Sequence, residues 1–299
     1  MRNPSDAHRN FPHAVLNRPP ESRPLKPSSV LSNIFFIIGC WRSGTTALAQ
    51  LLQMAGNAKV FVEAEPKLAF ESRELREGRL LDPLGTFMDA RQGLIAETHG
   101  KGLKYGEKNA TLLEFVTSLA SNGDCRFVLA VRDGRDVVRS LLDWRRFRPV
   151  IYGQKEDGAS LVDSRESNDP WAYYMPRPQA GEAWAAEWKH LSFFEKSAWY
   201  WDNFNRRLLD AAEKIRPETY RFVDMSRANV ETVRGVFDFL ELKGFDPARA
   251  EAILDSRVNS LYARTGEQDS FPRWPQWTDE QRATFETFAG ETMKRLGYL

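Results

Sequence analysis

FFIIGCWRSGTTALAQLL, Phe35 to Leu52, is the stretch that decides the expected fold of this 299-residue chain. An apolar run, Ile34–Ile38, is continuous rather than alternating and ends at Gly39, which is typical of a strand buried on both faces. After a short polar turn, apolar residues recur at helical spacing from Thr45 to Met54. The stretch therefore predicts a buried strand, a glycine-bounded turn and a helix N-terminus.

The alternation of strand and helix patterns continues along the chain. Further strands are predicted at 102–105, 126–131 and 220–223, and helices at 111–121, 134–144, 180–215, 230–240 and 278–296. Strands that alternate with helices form βαβ units. We therefore expect an α/β fold with a mostly parallel central sheet flanked by helices.

Two segments depart from this rhythm. Residues 1–30 carry six prolines and predict a flexible arm, which leaves 31–299 as a single domain. Residues 145–190 form an insertion rich in proline, glycine and aromatic side chains. A long insertion of this kind is either a lid over a binding site or an extra packed subdomain, and the sequence leaves both interpretations open. Its aromatic residues are Trp171, Tyr173, Tyr174, Trp184 and Trp188.

Composition narrows the class of protein. Hydrophobic residues make up 42% and charged residues 28% of the chain, which excludes wholesale disorder. The net charge of +1 argues against a nucleic-acid partner, and the longest apolar run is too short to span a membrane. Two cysteines without metal-ligand spacing predict no metal site. With no apolar leader at the N-terminus, we expect a cytoplasmic location.

The turn after the first strand has the chemistry of an anion site. Backbone amides at a helix N-terminus point toward one position, and glycines let the chain approach an anion closely. An arginine adds a charged fork for phosphate or sulfate oxygens, and hydroxyls add further donors. The predicted anion ligands are Gly39, Arg42, Ser43, Gly44, Thr45 and Thr46.

The turn has the glycine spacing of a nucleotide-triphosphate loop but lacks its lysine, which bears on the kind of anion it binds. A nucleotide-triphosphate loop reads GxxxxGK[ST], and here Gly39 and Gly44 have its spacing while Thr45 stands where the lysine would be. The apolar strand 126–131 is followed by Arg132 rather than by an aspartate for magnesium. A kinase or ATPase is therefore disfavoured.

GCWRSGTTALAQLL resembles the 5′-phosphosulfate loop of sulfotransferases that use 3′-phosphoadenosine 5′-phosphosulfate (PAPS). FVLAVRDGRDVVRSLLDW, Phe127 to Trp144, resembles the 3′-phosphate element of the same family, with Gly134 where proline is usual. The resemblance implies that Arg132 and Ser140 hold the 3′-phosphate. It also implies a P-loop-like sulfotransferase fold over the whole of residues 34–299.

The family also implies a carboxylate base, for which the chain offers three candidates. KYGEKNATLLEF resembles the family's Glu-Lys-(Thr/Ser)-Pro segment, in which Glu107 would be the base and Lys108 would face the donor. VFVEAEPKLAF corresponds to the position where other branches have the base, and it brings in Glu63 and Glu65. A surface role for the Glu107–Lys108 pair stays open, as does the choice among the glutamates.

Late segments complete the resemblance. TYRFVDMSRANVETVRGVFDFLEL is similar to the family's last strand and helix, and LYARTGEQDSFPRWPQWTDEQ matches a segment that closes on the 3′-phosphate through Arg264 and Gly266. The resemblance implies transfer of a sulfuryl group, without a metal, from PAPS to the hydroxyl of a small-molecule, lipid or glycan acceptor, which releases PAP (3′-phosphoadenosine 5′-phosphate). The aromatic insertion favours an apolar or aromatic acceptor. A kinase-like phosphoryl-transfer enzyme and a non-enzymatic adenosine-phosphate binding module remain the alternatives.

Overall fold

The fold is organised around a sheet of five strands in the order β2-β3-β1-β4-β5. A computed structural model describes residues 31–144, 175–256 and 271–299. All four strand pairs are parallel, so the prediction of an α/β fold with a parallel central sheet is confirmed. The strands are β1 (Ile34–Ile38), β2 (Ala58–Val62), β3 (Lys104–Lys108), β4 (Arg126–Val131) and β5 (Tyr220–Asp224).

Helices cover both faces of this sheet. One apolar cluster packs α1, α7 and α8 on one face, and a larger cluster packs α2 to α6 and α9 on the other. The helices are α1 (Thr45–Leu52), α2 (Ala69–Arg76), α3 (Pro83–Gly100), α4 (Val116–Ser121), α5 (Gly134–Trp144), α6 (Phe193–Ala212), α7 (Val230–Phe239), α8 (Pro247–Asp255) and α9 (Asp279–Arg295).

Strand β1 lies in the middle of the core, and all five of its residues are buried. Successive side chains of a strand point to opposite faces. Phe36 accordingly packs against Phe87 and Phe127 in the larger cluster, whereas Phe35 lies in the smaller one. Burial on both faces explains why this strand reads as a continuous apolar run.

The structure extends the predicted set of elements. The edge strand β2 was not predicted, because only Val60 of its five residues is buried. Strand β3 starts at Lys104 and continues through Lys108, so the predicted end at Tyr105 was wrong. In the region predicted as helix from 180, a short 3₁₀ helix at Trp188–His190 comes first, and the α-helix begins only at Phe193, where Ser192 and Glu195 form a capping box. Helices α2, α3 and α8 were also missed.

The order of connections defines a switch point at the carboxyl edge of the sheet. Strand β1 continues through α1 on one face toward β2, whereas β4 continues through α5 and α6 on the other face toward β5. Neighbouring strands whose connections leave in opposite directions form a topological switch point, and ligands of open α/β sheets bind there, outside the carboxyl ends of the strands. The switch point of this sheet lies between β1 and β4.

Among the helices of the described ranges, none combines the length and hydropathy needed to cross a bilayer. The same ranges contain no cluster of three or more histidine, cysteine, aspartate or glutamate side chains suited to a metal ion.

Two glycines should respond oppositely to a methyl group. A Cβ on Gly106 in β3 would lie 2.4 Å from Cζ of the buried Phe35 ring, whereas one on Gly93 in α3 would have no non-local neighbour within 4 Å. We expect Gly106→Ala to lower the free energy of unfolding by about 1–3 kcal/mol through overpacking. Gly93→Ala should raise it by about 0.5–1 kcal/mol, because alanine is the better helix former.

Urea denaturation followed by circular dichroism gives both values from the shift in midpoint at constant slope. A Gly106→Ala protein as stable as the Gly93→Ala protein would show that Phe35 is not held against β3.

Candidate functional site

The turn between β1 and α1 has a tight backbone and leaves the first amides of the helix without a side-chain cap. Both the amide and the hydroxyl of Ser43 donate to the carbonyl of Cys40, at 3.1 and 2.6 Å. Arg42 and Gly44 have positive φ angles of 68° and 88°. Gly44 is the N-cap of α1 and has no side chain to bond the first amides of the helix. These amides therefore form a group of donors at the carboxyl edge of the sheet, suited to an anion.

The two glycines of the turn are required by its surroundings. A Cβ on Gly39 would lie 2.5 Å from the carbonyl oxygen of Ala130 in β4, a contact that backbone atoms do not tolerate. At Gly44 the positive φ itself disfavours any other residue. The turn thus packs directly onto the end of β4, which brings the segments after β1 and β4 together.

The predicted hydroxyl ligands differ in their exposure. Ser43 is fully buried and Thr45 nearly so, whereas Thr46 is half-buried. The Ser43 hydroxyl donates within the turn and thereby stabilises the conformation of the loop.

Burial raises the pKa of the neighbouring Cys40 thiol to about 12, although a hydrogen bond from Asn205 opposes the shift. Cys40 is therefore an uncharged thiol at neutral pH and packs as an apolar side chain.

Arg42 joins this turn to helix α5. Its Nε donates to the Ser140 hydroxyl at 2.8 Å, and its guanidinium lies over the Trp144 ring at 4.4 Å from the centroid. The aromatic face and the hydroxyl fix the direction of the guanidinium. Residues predicted from separate motifs, 98 positions apart, are thereby in direct contact.

Arg132, directly after β4, completes the group. Its Nη1 donates to the carbonyl of Arg42 at 3.1 Å, and its Nη2 lies 3.5 Å from the Asp136 carboxylate. The Arg132 side chain is 29% exposed, so it reaches solvent while held by the turn. Arg42, Arg132 and Ser140 therefore form one cationic cluster at the switch point, beside the amides of α1.

Helix α6 supports this cluster from behind. The amide of Trp41 donates to the Tyr200 hydroxyl at 2.9 Å, and the indole of Trp201 donates to the carbonyl of Arg132 at 3.0 Å. Sequence reasoning missed both supports. The WYW tripeptide at 199–201 was the only signal, and buried aromatic residues of a helix normally indicate core packing alone.

Glu107, a predicted base, lies inside the protein. Its residue has no exposed surface, and its carboxylate accepts from Nε and Nη2 of Arg91 at 2.7 and 2.9 Å. The Tyr105 hydroxyl and the Asn109 amide also donate to it, at 2.7 and 3.2 Å. Burial would lower the pKa of Arg91, but the hydrogen bonds and charge of Glu107 raise it above the usual value. Glu107 is therefore the anionic partner of a buried ion pair.

The other two carboxylates lie after β2, and only one contacts a second predicted site residue. Glu63 accepts from Lys108 Nζ at 2.5 Å; its side chain is 28% exposed, and its φ of 53° is rare for this residue type. Glu65 is more open, with 74% of its side chain exposed, and lies 3.2 Å from Lys67. Glu63 and Lys108 thus form a pair at the ends of β2 and β3, on the same sheet edge as the cationic cluster.

The loop that carries Glu63 is fixed through its backbone carbonyls by buried side chains around Glu107 and β3. Arg91 Nη2 donates to the carbonyl of Ala64 at 2.9 Å. The Thr111 hydroxyl and the Asn109 amide donate to the carbonyl of Lys67, at 2.8 and 3.3 Å. Arg91, held by Glu107, therefore helps to position Glu63 indirectly, through the backbone of the next residue, Ala64.

Five residues singled out from the sequence lie outside the described residues: Arg264, Gly266, Trp171, Tyr173 and Tyr174. Of the remaining aromatics of the insertion, Trp184 packs on Phe288 of α9 at 4.4 Å between centroids, and Trp188 packs on Trp199 of α6 at 4.9 Å. These two residues take part in helix packing.

The buried ion pair should show a strong coupling free energy. Arg91→Met leaves the Glu107 carboxylate buried without its counter-charge, and we expect it to lower the free energy of unfolding by about 3–5 kcal/mol. Adding Glu107→Gln should restore part of that loss, because the amide is neutral and can still bond Tyr105 and Asn109. Urea denaturation of both single variants and the double variant measures the coupling. Additive losses would mean that the two charges do not depend on each other.

Comparison with known proteins gives distant likenesses only. The sequence matches no protein-family model and no curated protein significantly. Among solved structures, it is similar to a sulfotransferase domain from the curacin biosynthetic pathway, with 13% identity, a TM-score of 0.42, and coverage of 85% of this chain and 95% of that one. It is also similar to the sulfotransferase STF9 from Mycobacterium avium, with 13% identity, a TM-score of 0.44, and coverage of 89% and 77%. At this identity and TM-score neither likeness bears on what this chain binds.

Proposed function

We propose that this protein transfers a sulfuryl group from PAPS to an acceptor hydroxyl. The observation that carries the proposal is the contact of Arg42 with Ser140 and Arg132 at the switch point, beside the amides of α1. PAPS carries two anionic groups on one ribose, the 5′-phosphosulfate and the 3′-phosphate. A cluster that combines a helix N-terminus with two guanidinium groups suits such a doubly anionic ligand.

Each part of the cluster has a separate task in this proposal. The amides at Gly44–Thr46 and the Arg42 guanidinium bind the 5′-phosphosulfate, while Arg132 and Ser140 bind the 3′-phosphate. When the donor binds, Arg132 exchanges its contact with Asp136, at 3.5 Å, for a contact with the 3′-phosphate. Binding at two points orients the donor for attack from one side only.

The reaction itself needs a base and stabilisation of the leaving group. Glu63 takes the proton of the acceptor hydroxyl as its oxygen forms a bond to sulfur. The bond between sulfur and the 5′-phosphate oxygen breaks, and the electron pair stays on that oxygen, so PAP leaves with an additional negative charge. Arg42 and the amides stabilise this charge, and Lys108 neutralises the sulfuryl oxygens in transit. No step of this scheme calls for a metal ion.

The main competing function is phosphoryl transfer from ATP. Thr45 in place of the loop lysine and Arg132 after β4 both disfavour it, because a P-loop enzyme uses a lysine on the phosphates and an acidic side chain for magnesium. A non-enzymatic adenosine-phosphate binding module would leave the Glu63–Lys108 pair without a role. Ligand preference distinguishes the kinase-like enzyme from a sulfuryl-transfer enzyme, and turnover distinguishes the non-enzymatic binding module from both.

Ligand preference gives the first test of the donor. We expect PAP, but not ATP with magnesium, to stabilise the protein against thermal unfolding, since a ligand at about 100 times its Kd adds about 2.7 kcal/mol. Arg132→Ala should weaken PAP by about 10-fold or more in calorimetry, because it removes a hydrogen bond to a charged group. Adenosine 5′-phosphosulfate, which lacks the 3′-phosphate, should bind both proteins equally. Equal losses for the two ligands would remove Arg132 from the 3′-phosphate site, and stabilisation by ATP alone would favour the kinase-like function.

A matched pair of variants tests the base. Glu63→Gln should lower kcat for PAPS-dependent transfer by about 10²–10⁴-fold, because general base catalysis contributes that much. Glu65→Gln, two residues away and turned to solvent, should keep nearly full activity. Steady-state rates, with PAP affinity measured alongside to verify the donor site, provide the comparison. The reverse pattern would move the base to Glu65.

A further inference from the structure

Lys196 of α6 is a buried cation that contacts no counter-charge among the described residues. The residue has no exposed surface, and its Nζ has no hydrogen-bond acceptor within the described part of the chain. Buried ammonium groups are normally paired, because an unpaired charge out of water is strongly unfavourable. This exception therefore calls for a reason beyond stability.

Its position along α6 places it beyond the edge of the sheet. Tyr200 and Trp201 contact the segments that follow β1 and β4, and Asn205 contacts Cys40 at 3.8 Å, so the helix crosses the carboxyl edge at these residues. Further along, Leu208 and Ala212 are buried in the core of the sheet. Lys196 precedes Tyr200 by one turn, on the same stripe of the helix and about 6 Å farther out. That is the side of the sheet edge on which ligands of open α/β folds lie.

The surroundings of Lys196 are aromatic and positively charged. Its Nζ lies 5.6 Å from the centroid of the Trp188 ring, which packs edge-on against Trp199. Burial, followed by the positive charge of Arg177, lowers the pKa of Lys196, and the smaller influence of Glu195 opposes this shift. The Glu195 carboxylate is held by the helix cap, where it accepts from the Ser192 amide at 2.6 Å. An anion that contacts Nζ would supply the counter-charge that Lys196 lacks among the described residues.

We propose that Lys196 binds an anionic group of the acceptor. The inference rests on the proposed sulfuryl transfer and narrows its acceptor to a small acidic molecule that carries both a hydroxyl and a carboxylate or a similar anion. The indole rings of Trp188 and Trp199, which pack against each other beside Lys196, suit an acceptor with an apolar or aromatic body. The proposed acceptor is thus an apolar or aromatic molecule that carries one negative charge.

Benzoate and benzamide are suitable probes, because they share one shape and differ in charge. With protein saturated with PAP, we expect calorimetry to give benzoate at least about 10-fold tighter binding than benzamide, as a hydrogen bond to a charged group provides. Lys196→Met should reduce this preference to about 2-fold or less while leaving PAP affinity unchanged. Lys189→Met, an exposed lysine of the neighbouring segment, is the matched control and should keep the preference.

A second readout does not depend on the probes. The ligand-free Lys196→Met protein should have a higher thermal midpoint than the wild type, because it no longer contains an unpaired buried charge. Residues kept for function often lower stability in this way. A lower midpoint would mean that Lys196 has a structural role, which overturns the inference. Lys196→Gln, which keeps a polar group without the charge, provides the same test if the methionine variant does not fold.

The outcomes separate this inference from the proposed function. Equal or absent binding of benzoate and benzamide to the wild type overturns the acidic acceptor even where PAP binds. A loss of PAP affinity in Lys196→Met would assign the cation to the donor and overturn the inference as well. Failure of PAP to bind the wild type would refute the donor site instead, and the benzoate preference, measured without PAP, would still report on Lys196.

Discussion

The parallel direction of all five strands is the constraint on which the candidate site depends. It brings the segments after β1, β2, β3 and β4 to one edge, although they are distant in sequence. Because β1 lies at the centre, its turn has the Glu63–Lys108 pair on one side and Arg132 on the other. An antiparallel neighbour would have turned one of these groups to the opposite end of the sheet.

Close backbone packing then converts this common edge into a defined geometry. Gly39 lets the turn rest on Ala130 at the end of β4, and the Arg42 carbonyl receives Arg132 from the same strand. The Arg91–Glu107 pair holds the other half by bonding the loop that carries Glu63. The two halves have different physical bases: the first depends on the absence of a side chain, the second on a buried charge pair that stabilises only when complete.

Sequence patterns predicted the centre of the fold better than its edge. Burial on both faces makes β1 and β4 continuous apolar runs, so Ile34–Ile38 and Arg126–Val131 were predicted with the observed bounds. Strand β2 is half-exposed and has no such run. Within the site, Arg42, Arg132 and Ser140 followed from motifs, and their contact is observed. The buried role of Glu107 did not follow, because its partner Arg91 lies in a helix where a single arginine resembles any surface charge.

Helix α6 contributes to both ends of the proposed reaction. One rigid stretch contacts the turn after β1 through Tyr200, contacts the end of β4 through Trp201, and carries Lys196 one turn farther out. Groups on one rigid helix cannot shift independently, so a substitution that displaces the backbone of α6 on the acceptor side is expected to displace the donor side as well. Exchange of a single side chain such as Lys196 leaves that backbone in place, whereas room for a larger acceptor would arise more readily in the segments that face α6 than through movement of α6 itself.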